Sequence, residues 1–312
     1  MNDLEHSFVW QGRVDAEEPG DSRRWHQVMQ AWGPGATSGC TLIGFAVDEG
    51  VRRNGGRPGA AEGPAACRKF LANMPLMGEP ALWDAGDVSC PDGQLEAAQA
   101  RLAAQVAATL RQGSLPLVIG GGHEVAWGTF QGLVQARPEV KRWLIINLDA
   151  HFDLRQASAA NSGTPFLQIQ QWCQSMGLPF DYRVLGISAY ANTRALFDRA
   201  DALGVRYWLD ESLQDAQGLA HAQQALAQDL SSCEAVYLTT CLDVLPGAQA
   251  PGVSAPSPLG LPMAAVESVV AQVLASGKLA AFDVAELNPS LDRDGLTARI
   301  AARLIAKVAR AW

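Results

Sequence analysis

From residue 39 onward the chain alternates between two apolar patterns. Short runs rich in β-branched and aromatic residues end in glycine, aspartate or other polar clusters. Longer alanine- and leucine-rich stretches follow them. The short runs predict strands at 41–47, 81–88, 115–119, 143–148, 183–187, 205–208, 235–242 and 279–284. The long ones predict helices at about 62–73, 94–112, 124–136, 165–176, 193–203, 216–230, 262–276 and 295–311. Several of these strands are apolar at nearly every position, as in parallel strands covered by helices on both faces. The predicted architecture is therefore a three-layer αβα domain over 39–312, with a mainly parallel sheet of about eight strands. Residues 1–38 carry no such alternation. They are polar and irregular, contain Trp10, Trp25 and Trp32, and are expected to form a lead-in lying on the main body. Two glycine- and proline-rich stretches, 50–63 and 246–262, are expected to be long loops.

Composition narrows the function. The chain has 312 residues and a formal net charge of −8. Its longest basic runs are Arg23-Arg24 and Arg52-Arg53, so no patch offsets the repulsion from a phosphate backbone, and a nucleic-acid partner is not expected. No uncharged apolar stretch approaches the ~18 residues of a membrane span. The N-terminal residues are acidic and polar, unlike a signal peptide. Cysteines at 40, 67, 90, 173, 233 and 241 form no Cys-x-x-Cys pair, which fits a reduced, cytoplasmic protein. A small molecule is the expected partner.

Active crevices of parallel α/β sheets lie beyond the carboxyl ends of the strands. The run 115–119 leads into Gly120-Gly121-Gly122-His123-Glu124. This is not a dinucleotide fingerprint, because its third glycine would fall at Val125, and no Gly-Lys-Ser/Thr makes it a phosphate loop. The three glycines are expected to turn the backbone sharply and leave His123 at the sheet edge. The run 143–148 leads into Asp149-Ala150-His151-Phe152-Asp153; if it stays extended, its three polar residues share one side. Cys241 and Asp243 repeat that spacing after 235–240, and Glu286 follows the run 279–284. Carboxylates and imidazoles crowded together need a cation. This donor set suits Mn²⁺, Fe²⁺ or Zn²⁺ and exceeds what one tetrahedral ion requires. Two ions would use it, bridging a water and activating it as hydroxide.

These residues resemble the ureohydrolase superfamily, which includes arginase, agmatinase and formimidoylglutamase. The resemblance rests on Gly-Gly-Gly-His (120–123), Asp-Ala-His-Phe-Asp (149–153), Leu-Asp-Val-Leu-Pro (242–246), and Gly-Arg-Pro-Gly-Ala (56–60) followed by Glu62-Gly63-Pro64. Within the superfamily, Phe152-Asp153-Leu154-Arg155, Ser162-Gly163-Thr164-Pro165-Phe166, Gly186-Ile187-Ser188 and the segment 250–256 are similar to formimidoylglutamase. The resemblance implies an arginase-like fold and a hydrolase of linear amidines. It also implies conversion of N-formimidoyl-L-glutamate to L-glutamate and formamide in histidine degradation, usually with manganese. Relatives often form homo-oligomers.

Carried over by position, the resemblance makes His123, Asp149 and Asp153 ligands of one ion. It gives His151 and Asp243 to a second ion, with Asp149 bridging. The family's second bridging aspartate falls on Cys241 here, and three outcomes follow: a bridging thiolate, a ligand to one ion, or no ligand. Ser162 stands where arginases and agmatinases carry a histidine, which argues against those activities and makes Ser162 a substrate contact. A substrate with two carboxylates needs a local cation in an acidic chain, and Arg155 is the expected anchor, with Arg57 as a second candidate. Glu286 is expected to hold the amidinium, and Asp153 to take a proton from the nucleophile. The alternatives are a ureohydrolase for another amidine or guanidino acid, or a catalytically silent metal-binding protein if Cys241 disables the centre.

Overall fold

The uninterrupted apolar runs become the interior strands of one nine-stranded sheet. The structure, a computed structural model, describes residues 8–312; residues 1–7 of the lead-in lie outside the described residues. The strands are β1 (Gln30–Ala31), β2 (Cys40–Ala46), β3 (Leu82–Ser89), β4 (Leu115–Ile119), β5 (Trp143–Leu148), β6 (Asp181–Ile187), β7 (Arg206–Leu209), β8 (Ala235–Cys241) and β9 (Leu279–Ala285). The helices are α1 (Trp25–Val28), α2 (Glu49–Arg53), α3 (Gly63–Leu71), α4 (Leu95–Arg111), α5 (Val125–Ala136), α6 (Pro165–Met176), α7 (Arg194–Ala202), α8 (Ala216–Ser232), α9 (Met263–Ala275) and α10 (Leu296–Ala311). All strand pairings are parallel, in the order β1-β3-β2-β4-β9-β8-β5-β6-β7.

Every residue of β4, β5, β8 and β9 is buried, which is why their sequences lack a polar face. On one face Leu117, Leu144 and Ile146 pack with Leu71 of α3, Leu226 of α8, Val266 of α9 and Ile305 of α10. On the other, Trp143 and Ile145 pack with Phe130 of α5, Phe166 of α6 and Leu196 of α7, and Val118 packs with Leu102 and Val106 of α4.

Besides the one-turn helix α1 inside the lead-in, two features depart from the expectation. The ninth strand, β1, lies within the segment expected to be irregular; it is exposed and has no apolar signature. It forms because Trp32 N–H donates to the Asp84 carbonyl at 2.8 Å, extending the edge beside β3. The helix α2 occupies the start of the 50–63 segment expected to be loop. Glu49 pairs there with Arg52 and Arg53, one turn on, at 2.5 and 2.9 Å, and steadies a helix too short to show periodicity. Trp10 Nε1–H donates to Asp84 at 2.8 Å, on the same carboxylate that forks with the fully buried Arg68 at 2.9 and 3.0 Å.

Strand order positions the site. The chain builds one half of the sheet from β1 to β4 and the other from β5 to β7, then returns to insert β8 and β9 between them. The strands β4, β9, β8 and β5 thereby become neighbours at the middle of the sheet, and their carboxyl ends share one crevice. Among the described residues, no helix is long and apolar enough to cross a membrane.

Candidate metal centre

The loop after β4 carries His123 into the crevice. The backbone bends there as expected, at Gly121 and Gly122, without any of its three glycines adopting a positive φ. What they provide is room. A Cβ on Gly121 would fall on the Val47 carbonyl, and one on Gly122 would fall on the Glu124 carboxylate. Gly121 also accepts the Glu286 N–H at 2.7 Å, so the loop is locked to the end of β9. Gly121→Ala is expected to cost at least about 1–3 kcal/mol, because a backbone carbonyl cannot swing aside. Chemical denaturation of the metal-free protein measures this, and an unchanged midpoint would contradict it.

After β5 the chain does not stay extended. Asp153 has φ 48, so a turn, and not the pleat, brings it round to the others. Asp243 likewise sits in a short 3-10 turn (Leu242–Val244), while Cys241 is the last residue of β8. The outcome is nonetheless convergence. His123 Nδ1 lies 2.9 Å from Asp149 Oδ2 and 3.1 Å from Asp153 Oδ2. His151 Nδ1 lies 3.1 Å from Asp243 Oδ2 and 3.5 Å from Asp149 Oδ1. Two groups of ligand-type atoms, each within 4.8 Å, result: His123, Asp149 and Cys241, and Asp149, His151 and Asp243. Asp149 belongs to both. Glu286 has a left-handed φ of 70, a strained conformation for a side chain of its kind. Its Oε1 accepts the His123 N–H at 3.2 Å.

Electrostatics follow from burial. Burial opposes charge on both imidazoles, but Asp149 and Asp153 around His123, and Asp243 and Asp149 around His151, hold their pKa values well above the ordinary range. Burial likewise opposes the Asp149 charge, and the two imidazoles override it and hold that carboxyl well below its usual range. Asp153 is pushed up by burial and by Asp149. Glu124 and Glu286 are pushed up to about 7 and about 8, chiefly by burial. Burial and the nearby Asp149, Asp243 and Glu286 push the Cys241 thiol well up. The residues fit divalent cations. His123 Nδ1 and Glu286 Oε2 are buried with no hydrogen-bond partner, although carboxylate oxygens stand near the former, and among the described residues Asp149, Asp153 and Asp243 pair with the two imidazoles and with no arginine or lysine. Such a cation takes imidazole lone pairs, replaces the imidazole protons, and suits these donors.

Above these groups lies a pocket of about 160 Å³, lined by His123, His151, Asp153, Cys241, Asp243 and Glu286, with Arg155 and Ser162 on its wall. The stem of Arg155 passes over Gly163, where a Cβ would approach its Cδ to 2.6 Å. Arg57 is not available as an anchor. Its Nε and Nη2 donate to the Ser254 and Val253 carbonyls at 2.8 and 2.7 Å, tying the two glycine-rich loops together.

Several residues escaped sequence reasoning. Asn54, whose Nδ2 donates to Ser162 Oγ at 3.1 Å, and Ser254 also line the pocket. Asn147 donates to Asp149 Oδ2 at 3.0 Å, and Thr239 Oγ1 lies 3.0 Å from His123 Nε2. The last two carried a signal: each is a polar residue in a mainly apolar strand, two positions before a ligand-type residue.

The sequence profile of the arginase family matches residues 38–310. A formimidoylglutamase of Ralstonia nicotianae is 52% identical over 308 residues, covering 96% of this chain and 94% of that protein. The crystal structure of formimidoylglutamase from Bacillus subtilis shares the fold, with a TM-score of 0.83 at 20% identity and 96% coverage of both chains. Trypanosoma cruzi formiminoglutamase, crystallised with Mn²⁺, gives a TM-score of 0.77 at 25% identity, covering 88% of this chain and 93% of that one.

Proposed function

The chain belongs to the arginase family, and from that premise we propose that it hydrolyses N-formimidoyl-L-glutamate to L-glutamate and formamide, a reaction of histidine degradation. The observation that carries this reading is the pair of ligand groups sharing Asp149 at the floor of a pocket walled by Arg155. The 52% identity to a formimidoylglutamase along nearly the whole chain supports the choice of substrate. His123, Asp149, Asp153 and Cys241 would hold one divalent ion, and Asp149, His151 and Asp243 the other. Manganese is the expected metal, in keeping with the oxygen-rich donors and with the Mn²⁺ of the Trypanosoma cruzi relative. Six free thiols suit a reducing compartment, and we assign the protein to the cytoplasm.

When bound, the ions supply Lewis acidity and lower the pKa of water enough for attack near neutral pH. The protein's own groups do the rest. Arg155 pairs with a substrate carboxylate through its planar fork. Ser162, steadied by Asn54, adds a hydrogen bond beside it. The carboxylate of Glu286, one oxygen of which is buried and unpartnered, accepts an amidinium N–H and fixes the reacting carbon. Asp153 accepts the proton released as water adds to that carbon. The bond from carbon to the glutamate nitrogen then breaks, the proton passes to the departing amine, and formamide is left.

The test is a substrate panel. Formimidoylglutamate should release formamide and glutamate, while arginine and agmatine should release no urea; urea release, or no formamide, overturns the reading. Arg155→Leu should raise KM for formimidoylglutamate by about 10–100-fold, the worth of a charged hydrogen-bonded contact, with kcat changed only a few-fold.

A further inference from the structure

We propose that Cys241 makes the two metal positions chemically unlike. The thiolate ligates the ion held by His123 and Asp149, and gives that position a preference for a softer divalent ion such as Zn²⁺ or Co²⁺ over Mn²⁺. The position formed by Asp149, His151 and Asp243 remains an oxygen-and-nitrogen site for Mn²⁺. This inference rests on the metal centre proposed above and is independent of the substrate.

Three observations carry it. Cys241 Sγ shares a 4.8 Å cluster with His123 and Asp149 ligand atoms, and all three residues are buried; the other cluster contains no sulfur. His123 Nδ1, at the heart of the first cluster, is buried and makes no well-formed hydrogen bond, facing only the carboxylates of Asp149 and Asp153 at 2.9 and 3.1 Å, so its lone pair is open to a cation held between them. Cys241 also lines the same pocket as His123, Asp153 and Glu286. A free cysteine serving only as a small hydrophobe is buried among aliphatic side chains, whereas this one ends β8 beside imidazole and carboxylates. Thiolate is a soft donor that favours zinc and its neighbours in the series, while carboxylate suits manganese. In a centre built from both, with Asp149 common to the two halves, the Cys241 position discriminates against Mn²⁺ more strongly than the other.

The experiment uses the full chain, stripped of metal and titrated with Co²⁺. The wild type should show sulfur-to-cobalt charge-transfer absorption in the near ultraviolet that saturates at one equivalent. Cys241→Ser and Cys241→Asp should both lose the band, and His151→Ala should retain it. In competition for one equivalent of metal, the bound Zn²⁺-to-Mn²⁺ ratio, read by elemental analysis, should fall by at least about tenfold in Cys241→Asp. That variant guards against a serine protein that fails to fold. Cobalt bound without the band, or an unchanged ratio in Cys241→Asp, overturns the inference and leaves the proposed hydrolysis standing. A band with no formamide release overturns the hydrolysis and leaves this inference standing. Failure to bind cobalt at all overturns both.

Discussion

Replacing Asp149 with asparagine is expected to remove both metal ions together and to lower kcat/KM for formimidoylglutamate by at least about 10³-fold, the scale set by the loss of metal-activated water. The reason is position. Asp149 is the residue common to both ligand groups. Its Oδ2 faces His123 and accepts from Asn147 at 3.0 Å, while its Oδ1 faces His151 and accepts that residue's N–H at 2.7 Å. Asparagine keeps the shape but removes the charge, and it turns an amide group toward one imidazole or the other. Asp243→Asn makes the informative contrast, because Asp243 belongs to one group only and its loss should leave the His123 position able to bind. Elemental analysis after manganese dialysis, run beside a formamide assay, reads both effects. Two ions retained in Asp149→Asn, with activity within tenfold of wild type, would remove Asp149 from the centre.

The site was legible in the sequence to the extent that it is made of strand ends. The runs 115–119 and 143–148 coincide with β4 and β5 because both are interior strands, buried throughout, apolar apart from Asn147, and closed by glycine or aspartate. Their ligand-type residues therefore fell where the parallel-sheet rule puts them. Three things were hidden for physical reasons. The adjacency of β4, β9, β8 and β5 is long-range, and nothing in the local pattern encodes it. Asp149, His151 and Asp153 converge over a backbone bent at Ala150 and His151 and left-handed at Asp153, which an alternation argument cannot see. The pocket wall at Asn54 and Ser254 is set by tertiary clamps: Arg57 reaches the 253–254 carbonyls, and Asn288 Nδ2 donates to the Arg57 and Pro58 carbonyls at 3.0 Å. The same clamps explain why Arg57, which reads as a free cation in a flexible loop, is occupied with backbone. The short edge strand β1 shows no pattern because its residues are exposed, so packing imposes none.

Glu286→Gln is expected to change stability and activity in opposite directions. Burial first, then the charges of Glu124 and Asp243, push the Glu286 carboxyl up to about 8 in the metal-free protein. An unfolded chain releases that proton near pH 4.3. Between those values the folded state binds more protons than the unfolded one, so the metal-free protein loses stability through this group as pH rises. Glutamine carries no such penalty. Metal-free Glu286→Gln should therefore be more stable than wild type at pH 7, by ~3–4 kcal/mol, with the gap closing below about pH 4. In the working enzyme the neighbouring cations favour the carboxylate, and the amidinium needs its charge. The same variant should thus lose about 10²–10³-fold in kcat/KM. Denaturant melts of the stripped proteins at pH 4 and pH 7, set beside formamide kinetics of the manganese-loaded ones, separate the two effects. A variant less stable than wild type at pH 7, or one with undiminished turnover, would mean that Glu286 is a packing residue with its charge elsewhere engaged. A gain in stability with a loss of rate would show that its buried charge is retained for the substrate, because it costs the fold stability.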